Sequence, residues 1–484
     1  IAAELDRPLT GAVPEDEAQL MKFHGIYLQD DRDERAGRGR RRLEKAYGFM
    51  ARVRIPGGVL TPAQWLRLDA TAGRHAGGTL RLTTRQTVQF HGILKGNLRR
   101  AIQEIDAALL DTIAACGDVN RNVMCTPNPH LSALHAEAQA MAAAISDRLL
   151  PKSRAWHEIF LNEERVAGAG EEFEPVYGPT YLPRKFKIAV ALPPDNDVDV
   201  YANDLGFVAI VEEGRIVGYT VLAGGGMGMT HGDAATFPRL ADVLGFCEPG
   251  QVLAVAEAVV MAQRDLGNRA ERKNARLKYT IERLGLDTFR AEVAARAGFA
   301  LAPARAFRFT GTGDRLGWQA AADGAWHLTL PVLAGRIADR GGVRLRSAVA
   351  ALAAAGLVPE FRITGNQNLI LAGVAPAARD EVAALLASHG VTEAASGLRR
   401  GAIACVALPT CGLALAEAER YVPDLLAALE PELAALGLDD EEIVLRVSGC
   451  PNGCARPFLA EIAAVGRGPG RYNLYLGGSG AGTR

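Results

Sequence analysis

Residues 80–93 read LRLTTRQTVQFHGI and residues 361–374 read FRITGNQNLILAGV. Laid over one another without a gap, Arg81, Thr83, Gln86 and Gly92 meet Arg362, Thr364, Gln367 and Gly373, with apolar residues matching around them. Each stretch alternates with the period of two expected of a half-buried strand. A second pair follows in the same order. RKFKIAV (184–190) opens a segment ending in GYTVLAGG (218–225), and RPFLAEIA (456–463) opens one ending in RYNLYLGG (471–478). Tyr219, Val221, Gly224 and Gly225 then face Tyr472, Leu474, Gly477 and Gly478. The order A, B, A′, B′ predicts a duplicated chain packed about a pseudo-twofold axis, whose seam is a natural cleft for a ligand.

Differences between the copies locate chemistry. Arg85 and His91 stand where the second copy has Asn366 and Ala372, so one wall of the cleft is expected to be more positive. Aligning Arg184 with Arg456 sets Gly178 and Leu182 opposite Cys450 and Cys454, so that only the second half carries thiols there. The first half instead has Arg184, Lys185 and Lys187 within four residues, and alternation puts the two lysines on one strand face.

The chain has 484 residues, which suggests about three domains. Charged residues make up 23% and no apolar run nears the roughly 20 residues of a membrane span, so a soluble globular protein is expected. A net charge of −1 argues against a general nucleic-acid binder, and RGRRR (38–42) reads as a solvated surface run. The sequence opens at Ile1 without an initiator Met or a leader pattern, so the N-terminus is expected to be trimmed or to lie upstream. Seven cysteines, an odd number, fit reduced thiols in the cytoplasm. Cys116, Cys125 and Cys247 are scattered and read as small buried hydrophobes, whereas Cys405, Cys411, Cys450 and Cys454 form a C-x5-C and a C-x3-C pair within fifty residues. Four thiolates hold zinc or an iron-sulfur cluster; the wide first spacing favours a [4Fe-4S] cluster, with zinc or four unrelated thiols as alternatives. Pro409, Pro451 and Gly453 favour irregular backbone whose amides can point at sulfur.

CVALPTC (405–411) and GCPNGC (449–454), with TYLPRKFK (180–187), NRNVMC (120–125) and GNRAERKNARLKYTIERLG (267–285), resemble the siroheme-containing sulfite and nitrite reductases, most closely their assimilatory NADPH-dependent branch. The resemblance implies an α+β fold of three domains, internally duplicated about a pseudo-twofold, with mixed sheets covered by helices. It implies an N-terminal arm (1–49), a duplicated ferredoxin-like domain (50–113 with 318–391), a siroheme and substrate domain (114–317) and a [4Fe-4S] domain (392–484) that is expected to continue beyond GGSGAGTR. Cys405, Cys411, Cys450 and Cys454 would ligate the cluster, and Cys454 would bridge to the siroheme iron. Arg81, Arg85, His91, Arg184 and the segment ERKNARLK (271–278) would meet the eight siroheme carboxylates, with Thr83, Gln89, Asn120 and Gln367 as polar partners. Arg52, Arg121, Lys185 and Lys187 would bind the substrate oxyanion, sulfite, with nitrite as a side substrate.

GGGMGMTH (224–231) lacks the third glycine of a dinucleotide fingerprint, so electrons are expected from a partner, an NADPH-dependent flavoprotein subunit or alternatively ferredoxin. Trp156, Trp318 and Trp326 read as packing residues, and the Ala-rich stretches near 137–150, 347–356 and 380–388 as helices covering the sheets.

Overall fold

The computed structural model describes residues 1–480 apart from 8, 128–131, 153–157, 162–163 and 169–173; Trp156 therefore lies outside the described residues. Both A copies form antiparallel hairpins. Leu80–Leu82 pairs with Val88–Ile93, and Glu360–Ile363 pairs with Leu369–Val374. Each hairpin turns through a glutamine in left-handed backbone, Gln86 (φ 55°) and Gln367 (φ 71°). An amide can donate and accept at once, and both glutamines use this to tie the hairpin to a neighbouring strand. Gln86 Nε2 donates to Cys125 O at 2.8 Å while its oxygen accepts from Cys125 N at 2.9 Å; Gln367 Oε1 accepts from Ala404 N at 3.2 Å.

The halves exchange strands. Val59–Leu60 of the first half pairs with Phe361 and Arg362 of the second, and Arg336–Ile337 of the second pairs with Arg81 and Leu80 of the first. Each exchange completes a five-stranded sheet. Helices Pro62–His75, Lys95–Asp106, Leu345–Ala354 and Arg379–Ser388 bury apolar faces in the same core, where Trp65 stacks on Phe361 at 5.1 Å. Trp318 packs edge-on against Trp326 at 6.3 Å. Val13, Met21 and Ile26 also enter this core, and strand Ile26–Asp30 pairs with Tyr47–Arg52. Much of the expected arm is thus part of the domain.

The B copies are mixed sheets of one design. In the first, Met124–Cys125, Ile188–Ala191 and Leu205–Glu212 run parallel, and Arg215–Ala223 returns antiparallel, followed by Asp242–Cys247. In the second, Ala402–Ala404, Leu445–Ser448 and Ile462–Gly468 run parallel and Arg471–Leu476 returns. Helices Ala133–Arg148 and Val252–Leu266 cover the first sheet, and Val422–Ala435 the second.

This topology corrects the register of the second repeat. Ile188 corresponds to Leu445 and Leu205 to Ile462, because those residues open equivalent strands. Asp199 (φ 47°) then corresponds to Arg456 (φ 54°), both entering short 3-10 turns in left-handed backbone. Arg184 is not the counterpart of Arg456, and the counterparts of Cys450 and Cys454 are Pro193 and Asp197 rather than Gly178 and Leu182. The match of Tyr219 with Tyr472 stands, since both follow the same hairpin. The error has a physical origin: Ile188–Ala191 and Leu445–Ser448 are buried on both faces, so neither displays the alternation that fixes register.

Candidate functional site

Parallel strands end at one edge of a sheet, which is how four distant cysteines meet. Cys405 follows Ala402–Ala404, Cys450 follows the adjacent Leu445–Ser448, and the loops beyond carry Cys411 and Cys454. Burial pushes the thiols of Cys405, Cys411 and Cys450 up, and the nearby Cys454 pushes each in the same direction. Polar N–H groups already face these sulfurs. Gly449 N donates to Cys405 Sγ at 3.2 Å, Asn452 Nδ2 to Cys450 Sγ at 3.5 Å, and the amides of Leu413 and Ala414 to Cys411. Among the described residues no three His, Cys, Asp or Glu side chains converge on a single metal ion.

Cys454 is exposed, and it opens into a cavity of about 320 Å³. Eight cationic side chains line that cavity: Arg184, Lys185, Lys187, Arg272, Lys273, Arg276, Lys278 and Arg456, with no Asp or Glu among the lining residues described. Some are balanced from behind. Arg276 pairs with the buried Asp204 at 2.7 Å, Arg272 with Asp118 at 2.8 Å, and Lys278 Nζ donates to the carbonyls of Gly226 and Gly228 at 3.1 and 2.7 Å. The side chains of Arg184, Lys185 and Lys187 make no hydrogen bond or close ion pair among the described residues, although the Asp118 carboxylate acts on Arg184 through its charge. Burial, with Arg121 next in effect, pushes the Lys185 ammonium down to about 8; burial beside Lys185 pushes Lys187 well below its ordinary value. Unpaired cations in a confined space call for an anion.

The other sequence-predicted residues fall into two groups. One comprises Arg85, Arg121, Arg52, Gln89, His91 and Asn120, none of them among the residues lining the cavity. Arg85 lies beside Lys187 and Cys454 and donates to Asn203 Oδ1 at 2.9 Å and Ile188 O at 3.1 Å, leaving its buried Nε without a partner. Burial and the charges of Arg456 and Arg121 push it down to about 9. Arg121 holds Gly117 O through Nε and Nη2 at 3.0 and 2.9 Å and contributes its charge to Lys185. Arg52 Nη1 donates to Cys116 Sγ at 2.7 Å, and Gln89 Oε1 accepts from Arg52 Nε at 3.2 Å, the amide being oriented by its partners. His91 Nδ1 meets Gln29 Oε1 at 3.2 Å, while its buried Nε2 and Asn120 Oδ1 have no partner. Burial, then the charges of Arg336 and Arg81, push His91 down to about 3, so it is a neutral imidazole and not the cation its sequence position suggested.

The second group is turned inward. Arg81 donates to Glu419 Oε2 at 2.9 Å and Ala404 O at 2.8 Å, and Arg336 shares the same carboxylate. Thr83 bonds Thr87 at 2.9 Å within its turn, and Gln367 serves the backbone clamp described above. None of the three lines the cavity.

The sequence reading passed over GGGMGMTH. Met227, Gly228, Met229 and Thr230 line the cavity, and the run lies directly on the cysteine loop: Met229 N donates to Pro451 O at 3.0 Å. A Cβ on Gly228 would stand 3.0 Å from Asn452 O, and one on Gly225 would stand 2.1 Å from Tyr201 O. The glycine spacing was the available signal, and it reports close backbone approach rather than a phosphate loop.

Comparison with known proteins places this arrangement. The model of the "Nitrite and sulphite reductase 4Fe-4S domain" matches residues 140–301, and that of the "Nitrite/Sulfite reductase ferredoxin-like half domain" matches 41–108 and 319–389. The chain belongs to the nitrite and sulfite reductase family. Over its whole length it is 60% identical to the "Sulfite reductase [NADPH] hemoprotein beta-component" of Methylobacterium sp. (strain 4-46), covering 81% of that protein. It is 59% identical over 98% of its length to the protein of the same description from Xanthomonas oryzae pv. oryzae (strain PXO99A), covering 84% of it. A solved structure of the Mycobacterium tuberculosis NirA protein superposes with a TM-score of 0.78 at 26% identity, over 96% of this chain and 82% of that one.

Proposed function

We propose that this chain is the hemoprotein component of an NADPH-dependent sulfite reductase, reducing sulfite to sulfide by six electrons at a siroheme coupled through Cys454 to a [4Fe-4S] cluster. The observation that carries the reading is the Cys454 thiol opening into a cavity walled by eight cations. The residues fit both groups. Four thiols with N–H donors already aimed at three of them suit the cluster, and the unpartnered Arg85 Nε and the Arg184 guanidinium suit a macrocycle rich in carboxylates. When bound, the siroheme supplies an iron that accepts electrons singly and holds sulfur through the reduction.

The protein's own part is anion capture and proton supply. Sulfite is a small oxyanion, and Lys185 and Lys187, which line the cavity, would bind it with charge-assisted donors, supported by Arg52 and Arg121. A guanidinium does not release protons near neutral pH, so lysines are the groups able to supply them as oxygens leave as water. At about 8, Lys185 is poised near working pH. Electrons come from an NADPH-dependent flavoprotein subunit, ferredoxin being the alternative donor, and the chain works in the cytoplasm. Among the described residues no helix is long and apolar enough to cross a membrane.

Sulfide release from sulfite by the cofactor-loaded chain, driven in parallel by NADPH with a flavoprotein reductase and by reduced ferredoxin, tests the proposal. The expected result is turnover with the former and a higher kcat/KM for sulfite than for nitrite. A strong preference for ferredoxin and nitrite would overturn it.

A further inference from the structure

Asp199 and Arg456 are equivalent residues of the two halves, and they touch: Arg456 Nε donates to Asp199 Oδ2. A residue that meets its own counterpart lies on the pseudo-twofold axis. The rest of the guanidinium agrees. Nη1 donates to Thr84 O at 2.6 Å and Nη2 to Gly365 O at 2.9 Å, and Thr84 and Gly365 are equivalent positions of the two hairpin turns. Thr84 Oγ1 in turn donates to Cys454 O at 3.0 Å. Arg446, 1% exposed, pairs with Asp199 at 2.7 Å and donates to Arg456 O at 3.2 Å. The backbone around Cys454 is therefore held at its own carbonyl by Thr84 and two residues later by a buried Arg446–Asp199–Arg456 triad.

Stability alone does not explain such a triad, since apolar residues of similar volume commonly do as well as buried ion pairs. We propose that Asp199, from the half without the thiols, is a positioning residue: through Arg456 and Thr84 it fixes the direction of the Cys454 sulfur into the cavity and hence the coupling between cluster and haem. This rests on the bridging role proposed for Cys454. Groups that orient a metal ligand typically change affinity or activity by about ten- to hundredfold when altered, without touching substrate.

The test uses the full chain loaded with both cofactors, comparing Thr84→Val, Asp199→Asn and Asp199→Glu. Thr84→Val removes one hydrogen bond at constant volume and serves even if Asp199→Asn fails to fold. Iron content, thermal unfolding, the electron paramagnetic resonance signature of cluster–haem exchange, kcat and KM are read for each. The expectation for Thr84→Val is unchanged iron and a normal unfolding midpoint, with an altered exchange signature and kcat lowered about tenfold at nearly constant KM. Asp199→Asn shifts both further and Asp199→Glu recovers part. Exchange signatures and kcat identical to the unsubstituted chain, whatever the unfolding midpoint, would overturn the positioning role. Independent cluster and haem signals in the unsubstituted chain would overturn the bridging role itself.

Discussion

Lys185 concentrates the residue-scale account. Flanking the buried Phe186, it and Lys187 point into the cavity, as alternation along an extended segment requires. Lys185→Ala is expected to lower sulfite turnover about a hundredfold, the order of a lost general acid, while the haem absorption spectrum stays intact. Loss of the haem instead would assign Lys185 to the cofactor. The pH dependence has a definite sign. Burial and Arg121 lower the Lys185 value to about 8, so its charge disappears as pH rises through 8, while a bound anion restores the charged form. Sulfite affinity should fall above pH 8 with proton uptake on binding, measurable by calorimetry in buffers of different ionisation enthalpy. Lys185→Arg should reduce that uptake to the share contributed by Lys187. This pair was legible because its signal is local. The partner of Arg81 was not: Glu419 stands 338 residues away, and no local pattern reveals that the guanidinium is already satisfied by a protein carboxylate.

Element-scale behaviour turns on how loops are pinned to strand ends. Burial alone would raise the Glu419 carboxyl, but Arg336 and Arg81 outweigh it and hold it at about 2. A depressed carboxylate contributes stability fully above its unfolded value of 4.5, and the contribution fades as pH falls toward 2. Denaturant midpoints at pH 7 and pH 3 should therefore differ more for the unsubstituted chain than for Glu419→Gln. At pH 7 Glu419→Gln should cost about 3–5 kcal/mol, because it strands two largely buried arginines. The glycine run makes a second case. A methyl on Gly225 collides with the carbonyls of Tyr201 and Asn203, so Gly225→Ala should cost about 1–3 kcal/mol in thermal unfolding and loosen the cavity wall. Such glycines are visible in sequence, but their purpose depends on which distant backbone comes to lie against them.

At the scale of the whole molecule, the duplication was readable in the A copies, whose polar Arg, Thr, Gln and Gly positions recur without a gap, and misread in part of the B copies. The A alignment agrees with the hairpins down to the paired glutamines at their turns. The parallel strands at the heart of each B sheet are buried on both faces, and the register there slipped. Exchange of Val59–Leu60 and Arg336–Ile337 binds the halves into one core. One half supplies unpaired cations and the other the thiols. The central claim is that both cofactors meet at that seam, and an absorption spectrum with an iron and zinc count on the purified chain tests it most directly. The account predicts siroheme bands and about five iron atoms per chain, four in the cluster and one in the haem. Zinc without iron, or a spectrum with no siroheme bands, would contradict it.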